Sequence, residues 1–169
     1  MEKTNIMAQD SSSPPVITIE NEILDVVESF TYLGSKISSS LSIDEEINTR
    51  IGKAAASMAK VNKRILENTK LTIKTKLCVY QACVISTLLS GSETWTTYTP
   101  LERRLNSFHL RCLRRILGIK WQDKVPNSEV LICAGVHSMF AILSERRLRW
   151  LGHVKKNESW SHPLGPFLW

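Results

Sequence analysis

The chain has 169 residues and carries 22 Lys and Arg against 16 Asp and Glu, a formal net charge of +6 at pH 7. A hydrophobic fraction of 43% is sufficient for a globular core, and the length fits one domain or two small ones. No apolar run approaches the roughly 18–20 residues that span a bilayer, and an N-terminus with acids and no apolar stretch is unlike a secretory signal. An intracellular protein, nuclear or cytoplasmic and without a membrane partner, is expected.

The charge is unevenly distributed. Residues 101–156 hold twelve Lys and Arg against four Asp and Glu, an excess of +8 that leaves the remainder at −2. Segregation of that size points to a polyanionic partner for the C-terminal part. The four cysteines, Cys78, Cys83, Cys112 and Cys133, form no CxxC pair and have no histidine at zinc-finger spacing. They are expected as buried free thiols.

Residues 1–15 are polar, end in Ser-Ser-Ser-Pro-Pro and read as a flexible leader. Residues 16–20 alternate apolar and polar, as a strand does. Residues 29–38 are rich in β-branched and aromatic side chains and read as a further strand. The two predict a small antiparallel hairpin or meander over residues 16–40, too small to stand without a packing partner.

The pattern then becomes helical. Ser42 with Glu45 has capping-box spacing. Ile47, Ile51, Ala54, Met58, Val61 and Ile65 recur at steps of three and four, with Lys53, Lys60 and Arg64 opposite. The stretch from Gly52 to Ser57 is unusually slim. A second helix should start near Thr72, with Leu77, Tyr80, Val84 and Leu88 central; its lack of charge from Leu77 to Ser92 predicts burial on most sides, and Gly91 should end or bend it. A third should open with Thr99 as N-cap, Pro100 in the first turn and Glu102 completing a capping box, and close at Gly118. Along it Leu101, Leu105, Phe108, Cys112 and Ile116 make one face and Leu110, Leu113 and Leu117 a second, while Arg103, Arg104, Arg111, Arg114 and Arg115 fall on a separate arc. Residues 127–134 read as a short helix ending at Gly135. Residues 138–152 read as a last one, carrying Met139, Leu143 and Trp150 with Arg146, Arg147 and Arg149. Residues 157–169 lack periodicity and read as an irregular tail. The fold class is therefore mainly α, a small N-terminal hairpin followed by a bundle of four or five helices.

Chemistry is sparse. The nearest acidic group, Asp44, Glu45 and Glu46, could hold a metal, but acids in a first helical turn already favour the helix dipole. There is no glycine-rich phosphate loop, and His109, His137, His153 and His162 sit in unrelated contexts. No catalytic residue, metal or cofactor is expected. The basic stripes are the better lead, because they can neutralise phosphates without reading sequence. Two other readings stay open: a merely solvated charged face, and a protein-interaction helix over residues 99–118 whose basic amphipathic character suits a calmodulin-like partner or a membrane surface.

Four blocks carry a resemblance. Phe30-Thr31-Tyr32-Leu33-Gly34 is similar to the Phe-x-Tyr-Leu-Gly primer-grip motif of non-LTR (LINE-type, RTE-like) retrotransposon reverse transcriptases. Tyr80-Gln81-Ala82-Cys83 leading to Leu88 through Trp95, the Arg111–Ile119 block with Trp121, and Arg146 through Val154 follow in the same order. The resemblance covers about residues 16–155. It implies that residues 16–40, with Phe30, Tyr32, Leu33 and Gly34, form the palm edge that seats a primer end. Residues 42–98 would be thumb helices and residues 99–156 a basic post-thumb region. The expected partner is an RNA or DNA template–primer duplex held by phosphates through Lys53, Lys60, Arg64, Arg104, Arg111, Arg114, Arg115, Arg146, Arg147 and Arg149, and beside it the rest of a reverse transcriptase. The family's palm aspartates and endonuclease are not among these blocks, and Ser90 stands where the family tends to carry Tyr. A catalytically incomplete fragment of a polymerase, or a relic of one, is expected rather than an enzyme.

Overall fold

The computed structural model describes residues 4–8, 16–19, 22–32, 34–40 and 42–158. It is mainly helical, with short strands confined to the N-terminal part, as the sequence predicts.

The strands pair two by two. β1 (Asn5–Ile6) runs parallel to β4 (Asp25–Val26), β2 (Thr18–Ile19) is antiparallel to β3 (Glu22–Ile23), and β5 (Ser29–Tyr32) is antiparallel to β6 (Ser35–Ser38). Two expectations are corrected here. Part of the supposed flexible leader, Asn5–Ile6, is a strand: backbone ladders need no side-chain pattern, so its pairing left no alternation to read. Residues 29–38 are not one strand but a hairpin. The closing pair is Tyr32 with Ser35, and Gly34 at φ +84 takes the left-handed conformation that lets the chain reverse. Leu33, part of the primer-grip motif, lies outside the described residues, as do most of the leader and residues 159–169.

The first helix, α1 (Asp44–Val61), continues into a π-helical turn, Asn62–Leu66. Its start differs from the expected capping box. Ser42 donates to the Asp44 carboxylate at 2.6 Å and accepts from the Asp44 N–H, Ile43 occupies the cap position, and Glu45 pairs instead with Lys36 at 2.8 Å. The second helix is α2 (Ile73–Val79), a π-helical turn (Tyr80–Ile85) and a last α turn, α3 (Ser86–Leu88). Thr72 caps it by accepting from the Thr75 N–H. In the wide turn Thr87 donates to the Cys83 carbonyl at 2.7 Å, Ser86 donates to the Ala82 carbonyl, and Ser57 of α1 reaches the Cys83 carbonyl at 3.3 Å. These hydroxyls serve carbonyls whose backbone ladder is loosened there.

Leu77, Tyr80, Val84 and Leu88 are buried as expected. Burial on most sides is not observed: Cys78, Gln81, Ala82, Cys83 and Ser86 form an exposed face. Small or uncharged side chains tolerate water, so absence of charge did not mean absence of solvent. The cysteine expectation is corrected with it, because only Cys112 is buried and Cys78, Cys83 and Cys133 are exposed.

Gly91 (φ +79) ends this helix, and a 3-10 turn, Ser92–Thr94, leads to α4 (Thr99–Leu117). Here Tyr98, not Thr99, holds the cap position; Pro100 is in the first turn and Gly118 closes the helix in the left-handed conformation. Glu102 accepts from Thr97 at 2.6 Å rather than completing a box. Then come a 3-10 turn (Trp121–Asp123), α5 (Asn127–Ala134), which matches its predicted bounds, and α6 (Met139–Glu158), which runs beyond its expected end at Gly152. Glycine costs about 1 kcal/mol in a helix, too little to stop one whose following residues remain helix formers.

One core joins all these helices. It is built from Ile47, Ala54 and Met58 of α1, Tyr80, Val84, Leu88 and Leu89 of the second helix and its end, Leu101, Leu105 and Leu113 of α4, Val130 of α5, and Met139 and Leu143 of α6. At its centre Tyr80 donates to His109 Nδ1 at 2.8 Å, and His109 Nε2 donates to the His137 carbonyl at 3.2 Å. The two contacts fix the neutral imidazole with its proton on Nε2. His109 is therefore a core residue that ties α4 to the second helix and to the turn before α6.

Candidate nucleic-acid interface

The solvent face of α1 has two parallel strips. Its core face follows Ile47, Ala54, Met58 and Val61. Opposite it, Gly52, Ala55, Ala56 and Ala59 are exposed and make a smooth strip with almost no side-chain height. Beside this strip, at about 100° per residue, lie the exposed Lys53 and Lys60, and the exposed Arg64 follows in the π-helical turn after α1. Lys60 and Arg64 make no ion pair with another described residue, and Lys53 makes one long contact, from Nζ to the Gly34 carbonyl at 3.5 Å.

The hairpin is fixed to the start of this face. Arg50, buried on α1, donates from Nε to Glu46 at 2.7 Å and from Nη2 to the Gly34 carbonyl at 3.0 Å and Ser35 Oγ at 3.2 Å. The second Glu46 oxygen accepts from the Lys36 N–H at 2.6 Å. The turn at Gly34 is thus held against α1 by a buried ion pair, while Phe30, Tyr32 and Ile37 of the same hairpin remain exposed.

On α4, Arg104, Arg111 and Arg115 recur at i, i+7 and i+11, so they form one exposed stripe. Its first member meets α1: Arg104 donates to Asn48 and lies 3.6 Å from Asp44, whose other oxygen accepts from Tyr98 at 2.6 Å. The Ser42 and Tyr98 hydrogen bonds hold the exposed Asp44 carboxyl below its usual range, helped by Arg104, and the same hydrogen bond to Asp44 raises the Tyr98 phenol. The arginine stripe and the slim face of α1 therefore start from a common junction.

The remaining arginines expected to grip phosphate are otherwise engaged. Arg114 donates to the Val125 carbonyl at 3.1 Å and to Asn127 at 2.8 Å, clamping the start of α5. Arg146 donates to the Leu89 carbonyl at 2.9 Å and to Glu93 at 3.1 Å, and Arg147 donates to Thr97 and Glu102. These three brace helix packing, because their fixed forks match carbonyl and carboxylate acceptors on neighbouring elements. Arg149 is exposed and pairs with Glu145 one turn back. Sequence reading could not separate bracing from free arginines, since both recur at helical spacing. Glu46 with Arg50 was visible as an i, i+4 pair but carries no mark of its third partner, the hairpin turn.

The three neighbouring acids do not converge: Asp44 faces Ser42 and Tyr98, Glu45 faces Lys36, and Glu46 faces Arg50. Among the described residues no single helix is long and apolar enough to cross a membrane, although α5 with most of α6, bent by 60°, reaches that length and composition as a pair.

The chain is similar to a transposon-derived protein of Caenorhabditis elegans. The two are 26% identical over 144 residues, which is 82% of this chain and 51% of the nematode protein. The chain thus spans about half the length of the curated relative it matches. No family model matches the chain, and no solved structure matches it.

Proposed function

We propose that this chain derives from a transposable element and serves as the duplex-gripping part of a LINE-type reverse transcriptase, without carrying the polymerase reaction itself. The transposon-derived relative supports the ancestry. The ordered primer-grip and downstream motifs narrow it to the reverse-transcriptase family. The observation that carries the functional reading is the α1 face: a strip of Gly52, Ala55, Ala56 and Ala59 running beside Lys53 and Lys60, with Arg64 in the turn that follows. A slim helix admits a sugar–phosphate backbone closely, and a row of cations along one edge neutralises it without reading bases. Arg104, Arg111 and Arg115 extend the same field from α4. In this reading the Gly34 turn, bolted to α1 by Arg50, sets the distance between the primer end and the duplex behind it.

The test is equilibrium binding to a nucleic-acid duplex as a function of salt. Each phosphate contact contributes a slope of about −0.9 in log K against log salt for duplex DNA. A linear fall with a slope of several units is expected, and Lys60→Glu with Arg64→Glu should weaken binding and flatten it. A salt-independent or undetectable interaction would sink the reading. Extension of a primer by this chain alone would refute the non-catalytic part.

A further inference from the structure

Where α6 crosses the 3-10 turn Ser92–Thr94, a cleft of about 590 Å³ opens, lined by Glu93, Thr94, Arg146, Arg149, Trp150 and His153. That volume lies within the range of small-molecule and cofactor sites. Its floor is fixed, because Arg146 is held by both the Leu89 carbonyl and Glu93. On α6, Trp150 is 47% exposed and packs against His153 with ring centroids 5.8 Å apart. Arg149 stands at the edge, 74% exposed at its side chain, and its pair with Glu145 is open to solvent. Such a pair is worth little and exchanges readily for a stronger anion. The other acid, Glu93, is already neutralised by Arg146 at 3.1 Å.

We infer that this cleft binds an unpaired nucleotide of a single strand, with the base stacked on Trp150 and its phosphate on Arg149. The chemistry differs from that of the α1 face. A duplex hides its bases in the stack and offers only phosphates to a lysine row, whereas a free base has a π-face that an exposed indole can cover. An aromatic platform with a guanidinium at its edge is the minimal recognition element for one unpaired nucleotide. The assignment does not require the α1 face to bind duplex.

The experiment measures fluorescence anisotropy of a labelled oligothymidylate of about 12 nucleotides, a length within known single-strand site sizes, and of a duplex, with wild type and four variants. Trp150→Ala should weaken single-strand binding by roughly 5- to 100-fold, the worth of one base stack, and leave duplex binding unchanged. Trp150→Phe, which keeps an aromatic face, should retain most of the affinity. Arg149→Glu should weaken the single strand at low salt. Lys60→Glu combined with Arg64→Glu should weaken duplex and spare the Trp150-dependent part. Single-strand affinity insensitive to Trp150→Ala in a variant that melts like wild type would overturn the site. So would an equal loss for duplex and single strand. Thymidine monophosphate competing as well as the oligonucleotide would overturn its assignment to a strand. Failure of duplex binding with the Trp150 effect intact would leave the cleft standing and remove only the α1 reading.

Discussion

Arg50 donates from Nε to Glu46 Oε1 at 2.7 Å, and the two side chains are only 8% and 4% exposed. The pair is not self-contained: Arg50 also bonds the Gly34 carbonyl and Glu46 the Lys36 N–H. Removing one partner leaves a buried charge without compensation, which costs about 3–5 kcal/mol. Arg50→Ala and Glu46→Ala should each lower unfolding free energy by that order in urea. Leu at position 46 with Met at position 50 should restore much of it but leave the Gly34 turn more open to amide exchange, since the Lys36 N–H then loses its Glu46 acceptor and only the longer Lys53 contact still reaches the Gly34 carbonyl.

The arginines divide by their partners. Arg146→Ala should destabilise by about 1–3 kcal/mol, because the Leu89 carbonyl and Glu93 lose a charged donor in a half-buried place. Arg111→Ala and Arg115→Ala, at exposed positions, should change stability by less than about 0.5 kcal/mol. Each should instead reduce the salt slope of duplex binding by about one. Denaturation and binding titrations on the same variants check both halves.

Acid should weaken the fold through His109. Burial pushes its imidazole below the usual 6.5, opposed by the bond to the His137 carbonyl. The folded protein thus resists a proton that the unfolded chain accepts. Stability is fully present above about pH 6.5 and falls as pH drops from there toward the lower folded value, by up to about 1.4 kcal/mol per pH unit. The titratable groups facing it are Tyr80, held protonated by burial and bonded to the ring, and His137 and Glu145, which line the same cleft as the imidazole. His109→Gln should flatten this limb of the stability–pH curve, and an unchanged limb would assign it to other groups.

Thiol chemistry should sort the cysteines. Burial raises Cys112 to about 11 despite Arg111 and Arg115 nearby, so it has almost no thiolate at neutral pH. Cys78, Cys83 and Cys133 are exposed. A disulfide reagent should modify these three in the native protein and reach Cys112 only after denaturant is added. Native-state modification of Cys112, read by peptide mass, would show that the core opens locally at α4.

The helical half was legible because periodicity, glycine stops and proline starts agree there. Asn127–Ala134 between Pro126 and Gly135 is the clearest case. The caps of α1 and α4 were less legible: Ser42 and Thr99 have the right chemistry, but Asp44 and the Tyr98–Asp44 bond compete for the same positions. The strand half was poorly legible. A two-residue strand such as Asn5–Ile6 is too short for alternation, and the residues 29–38 run hides a reversal that rests on one glycine's φ. As for the site, the basic stripes could be placed on helices from sequence. Their sorting into braces and open cations depends on acceptors from distant residues, Leu89 and Val125 among them, which no local pattern encodes. The Trp150 cleft was invisible for the same reason, since its floor comes from the turn after Gly91.

The Gly34 carbonyl receives two donors of unequal kind, Arg50 at 3.0 Å from inside and Lys53 at 3.5 Å from the solvent side. A phosphate arriving at the α1 face would draw off the lysine and leave the arginine in place. Under the proposed duplex reading, the hairpin would keep its seat while its outer tether was exchanged, so that loading and unloading would not unfasten it.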